Sequence, residues 1–472
     1  LIAAHFVGRQ TEMQVLQTAL EEARDGAGSA WLLSGESGVG KSRFVEELRS
    51  DALRQGVLTL RGQARTGGDA YHLWLDVLKL LALQVSLDEL EAGTLGSLLP
   101  ELPMLLECEV VAPPALDPSG ARLRLFHVVG ELLARLPETT LVLLEDLQWA
   151  DSESLALLSH LCSGISRRAL LLVASHRKDE GSHTVETLPQ LRKLRLPRLQ
   201  RKEMEELCES MIGRSARNRE LLDLVAAETE GNAYFIVEVM RALAAESGSL
   251  ADIGMSGLPQ RLFAGGIQDV LERRLSRAPG SARPLLQLAA VAGRELDPSL
   301  LSHLLPDIEA QLRALLDVGL LELYMQRWRF SHDKLRERVC DSLSPDDRHA
   351  LHRRIAGALE AVYPADTGRA AQVAMHYREA REPVMAAHFY AIAGDAALRR
   401  GAPGEAAALL EQAHELHAHA PMPRIAEARL WRGLTEARFG LGRLREAEVA
   451  LRTLCTVAGT PLPKIGRASC RE

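Results

Sequence analysis

The chain has 472 residues, of which 47% are apolar and 25% charged, and a formal net charge of −7. A length of this order exceeds one ordinary core and predicts about three domains, and the apolar content excludes a mainly disordered chain. The acidic balance excludes a broad basic face of the kind that binds nucleic acid, leaving only local contacts open. No apolar run of about 18 residues occurs and "LIAAHFVGRQ" lacks a signal-peptide pattern, so a cytoplasmic protein without membrane contact is expected. Six scattered cysteines form no C-x-x-C pair, which fits idle thiols in a reducing compartment. The chain begins at Leu1 rather than methionine, so its natural start is expected upstream, and "KIGRASCRE" over 464–472 reads as a translated sequencing adapter outside the fold.

From Phe6 to about Leu199, short apolar strands alternate with helical segments, which predicts a parallel sheet covered by helices. Strands are expected at 30–34, 57–62, 140–145, 170–175 and 194–196, several of them continuous apolar runs suited to burial on both faces. A leucine-rich insertion from Tyr71 to Leu116, broken by four prolines, should be helical and then irregular. Past Pro197 the period becomes 3.6, predicting a helical lid over about 200–255. The glycine-rich stretch Gly254 to Gly266 reads as a hinge. Next, over 256–364, short helices precede Leu321 to Phe330, a hairpin leading into a new helix at Ser331, which suggests a winged helix. Over 365–463 the chain is alanine-rich and helical, and "GAPGEAAALLEQA" and "GRLREAEVALRTL" share G-x-x-x-E-A at an offset of roughly 41 residues. Stacked helical hairpins resembling tetratricopeptide repeats are expected.

Gly35-Glu36-Ser37-Gly38-Val39-Gly40-Lys41-Ser42 fits G-x-x-x-x-G-K-[ST] between a strand and a helix. Glycines there let successive N–H groups turn inward on phosphates, and the helix start adds its positive end. Lys41 would reach the β and γ phosphates and Ser42 would hold Mg²⁺. The run "TLVLLEDLQWAD" supplies acidic partners: Leu141 to Leu144 bury a strand and present Glu145 and Asp146 at its edge, one for the metal and one for the attacking water. Asp151 either reaches the site or caps the helix after it. The guanine-reading [NT]-K-x-D string is absent, which makes adenine the expected base.

Val7-Gly8-Arg9, "GESGVGKS", "LLEDLQWAD", "ASHR" and "GNAYFIVEV" together resemble the ATPase module of STAND-class bacterial signal-transduction ATPases, over about Phe6 to Tyr363. The resemblance implies an AAA-like P-loop ATPase using ATP or ADP with Mg²⁺. Gly8 and Arg9 would lie near the adenine, Arg43 beside the P-loop, and Arg177 would sense the γ-phosphate. His332 in "FSHDKLRERV" would approach the β-phosphate of ADP. Three positions depart from the pattern: Ala233 stands where the lid motif usually has proline, Gln148 where histidine is frequent, and Glu145 where the metal position more generally has aspartate.

Lid, winged helix and repeats occupy more than half the chain, while the catalytic equipment is small, a balance that suits a switch better than an engine. The resemblance implies a slow ATPase whose nucleotide state controls an output domain such as a transcription regulator, cyclase or kinase. A nucleotide-stabilised scaffold without turnover and a small-molecule kinase are the other readings. Expected partners are an adenine nucleotide, an inducer or protein on the repeats, and another copy of the chain in a nucleotide-dependent manner. Nucleic acid would be reached only through the output domain, and the winged helix is expected to act within the chain.

Overall fold

The computed structural model describes residues 6–65, 67–178, 183–188, 190–213, 216, 218–247, 266–324, 326–364, 366–417 and 423–460. The expected hinge lies outside these residues except for Gly266, which starts a helix, and so does the tail 464–472. Among the described residues no helix is long and apolar enough to cross a membrane.

Five parallel strands form the first sheet: β1 Ser29–Gly35, β2 Leu58–Gln63, β3 Thr140–Glu145, β4 Leu170–Arg177 and β5 Arg192–Arg195, in the order β2-β3-β4-β1-β5. Every residue of β3 and β4 is buried, as strands covered on both faces require. Strand side chains alternate between faces, and the two cores show it. Leu141 and Leu143 join one cluster with Leu16 and Leu20 of the helix Gln10–Arg24 and Phe44 and Leu48 of the helix Lys41–Arg54. Val142 and Leu144 face the other way, into a larger cluster with Trp74, Leu78, Val129 and Leu158. The insertion is helical at Leu75–Gln84, Glu89–Gly96 and Leu102–Leu106, then without regular structure before the helix Pro118–Ala134.

The lid helices Arg201–Ile212, Arg219–Thr229 and Ala233–Ser247 enclose a separate small core around Cys208, Val225 and Val239. The winged-helix region adds a third strand that periodicity does not reveal. Strand β6 Glu295–Leu296 pairs with β8 Arg327–Phe330, which pairs with β7 Leu321–Tyr324. A two-residue strand carries too few residues for an alternating pattern. Repeat helices follow as antiparallel pairs, Pro383–Arg399 with Pro403–His417 and Arg424–Gly440 with Leu444–Ala458. Gly401 and Gly442, the echoed glycines, have φ of +68° and +72° and make the turns inside each pair. Winged helix, repeats and the second face of the sheet share one continuous apolar cluster, which includes Leu285, Ala374 and Leu410.

Candidate nucleotide site

Parallel pairing places the ends of β1, β4 and β3 along one sheet edge, the place where open α/β sheets bind ligands. Gly35 stands opposite Arg177 across the β1–β4 pair, and Gln63 opposite Glu145 across β2–β3. The P-loop leaves β1 and turns through Gly38 and Gly40, whose φ values of +83° and +106° only glycine adopts readily. Gly40 is the N-cap of the helix Lys41–Arg54. Lys41 folds back on its own loop, donating from Nζ to the carbonyls of Gly35 at 2.6 Å and Glu36 at 2.8 Å. Ser42 is exposed at the helix start, and Arg43 is exposed and pairs with Glu47 at 3.4 Å.

The loop is gripped from the lid. Asn232 Nδ2 donates to the Ser37 carbonyl at 2.9 Å and the Tyr234 amide to the Gly38 carbonyl at 3.0 Å. A Cβ on Gly38 would sit 2.7 Å from Asn232 Oδ1, so that glycine is required by approach as well as by φ. Glu36 pairs with Arg198 at 2.8 Å, and Arg198 also pairs with Glu230 of the lid. Arg9 is buried and donates to the carbonyls of Pro197 and Val39, bracing the P-loop against the exit of β5. Gly8, at φ +71°, lies against Glu203 of the first lid helix.

Glu145 and Asp146 are both buried, and each is engaged by an arginine. Arg61 of β2 pairs with Glu145. Burial pushes the Glu145 carboxyl up, Arg61 opposes that, and neighbouring Asp146 adds to it. Asp146, at φ +59°, accepts from Gln63 at 2.9 Å, Gln148 at 3.2 Å and, at 2.6 Å, Arg294 of the winged-helix region. Burial would raise its carboxyl, but Arg294 and Arg177 with the two glutamine hydrogen bonds outweigh burial and hold it below the ordinary range. Gln148 also accepts from the Arg177 amide at 3.1 Å, tying the ends of β3 and β4 together.

Arg177 is buried at the end of β4, over the Trp149 ring at 5.0 Å, and pairs with Asp333. Asp333 also faces Arg294 at 3.4 Å. His332 stacks on Tyr234 with ring centroids 3.4 Å apart, and its Nδ1 accepts from the Lys334 amide, capping the helix Asp333–Ser342. The same Tyr234 donates its amide to the Gly38 carbonyl, so one lid residue touches both this histidine and the P-loop. Desolvation, with Arg177, Arg294, Lys334 and Arg274 around it, holds the imidazole well below its usual value and therefore neutral. Asp151 caps the helix Ser152–Ser163 through the Ser154 amide at 2.8 Å, which decides between its two readings.

The residues fit a magnesium nucleotide: a glycine cradle at a helix N-terminus, a lysine, and the hard oxygen donors Ser42, Glu145 and Asp146 along the same sheet edge. Residues 5–173 match the model of the AAA ATPase domain family. That segment is an AAA ATPase domain. An uncharacterized protein of Rhizobium meliloti (strain 1021) is 26% identical over 463 residues and covers 90% of this chain; the chain spans 44% of that relative's length. Among solved structures, a STAND protein with a tetratricopeptide repeat sensor from Pyrococcus horikoshii is 12% identical with a TM-score of 0.45, covering 97% of this chain and 71% of that one. The ORC1 protein of Aeropyrum pernix, in complex with DNA, is 16% identical with a TM-score of 0.36, covering 73% and 94%.

Arg294 and Asp333, which bring the winged helix onto the AAA domain's edge, are not among the residues that motif reasoning singles out. Neither sits in a motif of its own, although Asp333 directly follows the flagged His332. Arg61 and Gln63 escape motif reasoning for a related reason: their partners, Glu145 at the end of β3 and Asp146 just after it, lie more than 80 residues away.

Proposed function

We propose that the chain is a slow, nucleotide-controlled ATPase switch in which the ADP-bound form keeps the winged helix on the catalytic edge. One observation carries this reading. Arg294 and Asp333 come from the same region and pair with Asp146 and Arg177, the carboxylate and the sensor that hydrolysis needs. While Arg294 holds Asp146 Oδ2, that oxygen cannot accept a proton from an attacking water.

In the active arrangement the backbone amides of 36–41 hold the phosphates, and Lys41 moves from the Gly35 and Glu36 carbonyls onto the β and γ oxygens. Ser42 and Glu145 would hold Mg²⁺, which when bound would neutralise charge on those oxygens. Asp146, freed of Arg294, orients the water and takes its proton, and Arg177, freed of Asp333, faces the γ-phosphate. The lid's hold on Ser37 and Gly38 and the His332–Tyr234 stack would transmit loop position to the winged helix. A fused output domain, an inducer on the repeats and nucleotide-dependent self-association belong to the same proposal.

The test is nucleotide content and single-turnover hydrolysis for the wild type, Lys41→Ala and Asp146→Asn. Co-purified ADP with slow turnover lost in both variants is expected. ATP held without turnover, unaffected by Asp146→Asn, would favour a nucleotide-stabilised scaffold instead.

A further inference from the structure

Away from the catalytic edge, where the winged helix docks, the repeats touch the AAA domain at a place built from charged and closely packed groups. The turn between Pro383–Arg399 and Pro403–His417 enters a socket formed by the loop after β2 and the start of the helix Ser152–Ser163. Buried Glu153 accepts from the Gly404 amide at 2.8 Å and pairs with Arg122 at 2.7 Å. A carboxylate at that position also meets the positive end of the repeat helix. Arg400 pairs with Asp69 at 2.8 Å, and the Tyr71 hydroxyl donates to the Gly401 carbonyl at 3.2 Å. The fit leaves no slack. A Cβ on Gly401 would stand 3.0 Å from the Ala121 Cβ, and one on Gly404 would stand 2.7 Å from Glu153 Oε1.

The socket is connected to the catalytic edge. Tyr71 donates its amide to Asp151 at 3.2 Å, and Asp151 caps the helix that starts six residues after Asp146. We propose that the turn Arg400–Gly404 is a releasable latch through which the repeats hold the loop behind Glu145 and Asp146, so that a ligand on the repeats acts on nucleotide exchange by freeing it. The inference rests on the switch reading for its consequence, but the latch itself is defined without nucleotide.

Charge balance gives the latch its own signature. Glu405 faces Asp69, Asp151 and Glu153, with Asp366 close to Asp69, and the cations at the contact are Arg400 and Arg122. Burial and these carboxylates raise the Glu405 carboxyl to about 8, and burial raises Asp69 to about 6. The docked form therefore binds protons that the released form gives up. Docking is strongest in acid and weakens as pH rises from the ordinary carboxylate range toward 8, by at most about ten-fold per pH unit per group.

The experiment is hydrogen exchange of the Gly404 amide in the full chain without added nucleotide, corrected for intrinsic rate, with release of fluorescent ADP measured in parallel. Between pH 6 and 8 wild-type protection should fall by about ten-fold or more. Glu405→Gln should flatten that slope. Gly404→Ala, a good helix residue placed against Glu153, should lower protection at both pH values and speed ADP release several-fold. Protection that ignores pH, or is unchanged in both variants, would overturn the latch. An opened latch with unaltered ADP release would overturn its link to the nucleotide site while leaving the proposed function untouched.

Discussion

Replacing Arg294 by alanine removes the cation that the winged helix places on Asp146 among the described residues. At a separation near 4 Å and an effective dielectric of about 20, a unit-charge pair is worth about 4 kcal/mol before desolvation. The Arg294 and Asp146 side chains are 19% and 12% exposed, so part of that is screened and part offsets the cost of burial. A net loss of about 1.5–3 kcal/mol from the closed form is expected, which moves the closed-to-open ratio by roughly 10- to 100-fold. Stopped-flow release of a fluorescent ADP analogue reads this directly, with circular dichroism to establish that the variant folds. Release should accelerate by the same factor. A cycle with Asp146→Asn should return a coupling of about 1–2 kcal/mol, because the two groups touch. A folded Arg294→Ala variant that releases ADP at the wild-type rate, or a coupling near zero, would refute the reasoning.

Asn232→Ala leaves the buried Ser37 carbonyl without its lid donor, which should cost about 1–3 kcal/mol, lower the melting temperature by a few degrees and weaken ADP binding in titration calorimetry. Gly38→Ala should do the same or worse, through positive φ and the clash with Asn232, with melting temperature as the readout. His332 is held neutral in the closed form, so the released form alone takes up a proton as pH falls below about 6.5; closed-state stability is present above that value and declines below it. With Glu405→Gln in place, so that the latch no longer opposes it, ADP release should speed about 10-fold between pH 7.5 and 5.5, and His332→Phe, which keeps a ring on Tyr234, should abolish that dependence.

Local chemistry made much of the site legible. The P-loop is one contiguous string, and "TLVLLED" announces a buried strand with its carboxylates at the end because both features are periodic and local. Arg177 is legible only through the resemblance that "ASHR" carries, because the apolar run of β4 ends at Ala174, yet the strand runs on through His176 and Arg177, buried in spite of their polarity. β5 was harder: "RKLR" is largely exposed at the sheet edge and carries little apolar signal, so the expected 194–196 fell two residues late at its start. Arg9 shows a different limit. Its type and position were visible, but not that its guanidinium turns to the carbonyls of Pro197 and Val39. Arg294 and Asp333 were illegible as a pair with Asp146 and Arg177 because such ion pairs join residues about 150 apart, and nothing in a single chain's local pattern encodes that distance. The same holds for the Glu153 socket, since a glutamate in a helix's first turn reads as ordinary dipole pairing.

The most direct measurement of the central claim is the distance between the wing and the P-loop helix as a function of nucleotide. Leu323 on β7 and Leu53 on Lys41–Arg54 are exposed and suit paired spin labels once Cys108, Cys340, Cys455 and Cys470 are replaced. With ADP a single short distance is expected, and with magnesium and a non-hydrolysable ATP analogue a second, longer population should appear and grow in Arg294→Ala. Identical distributions with both nucleotides would contradict the account.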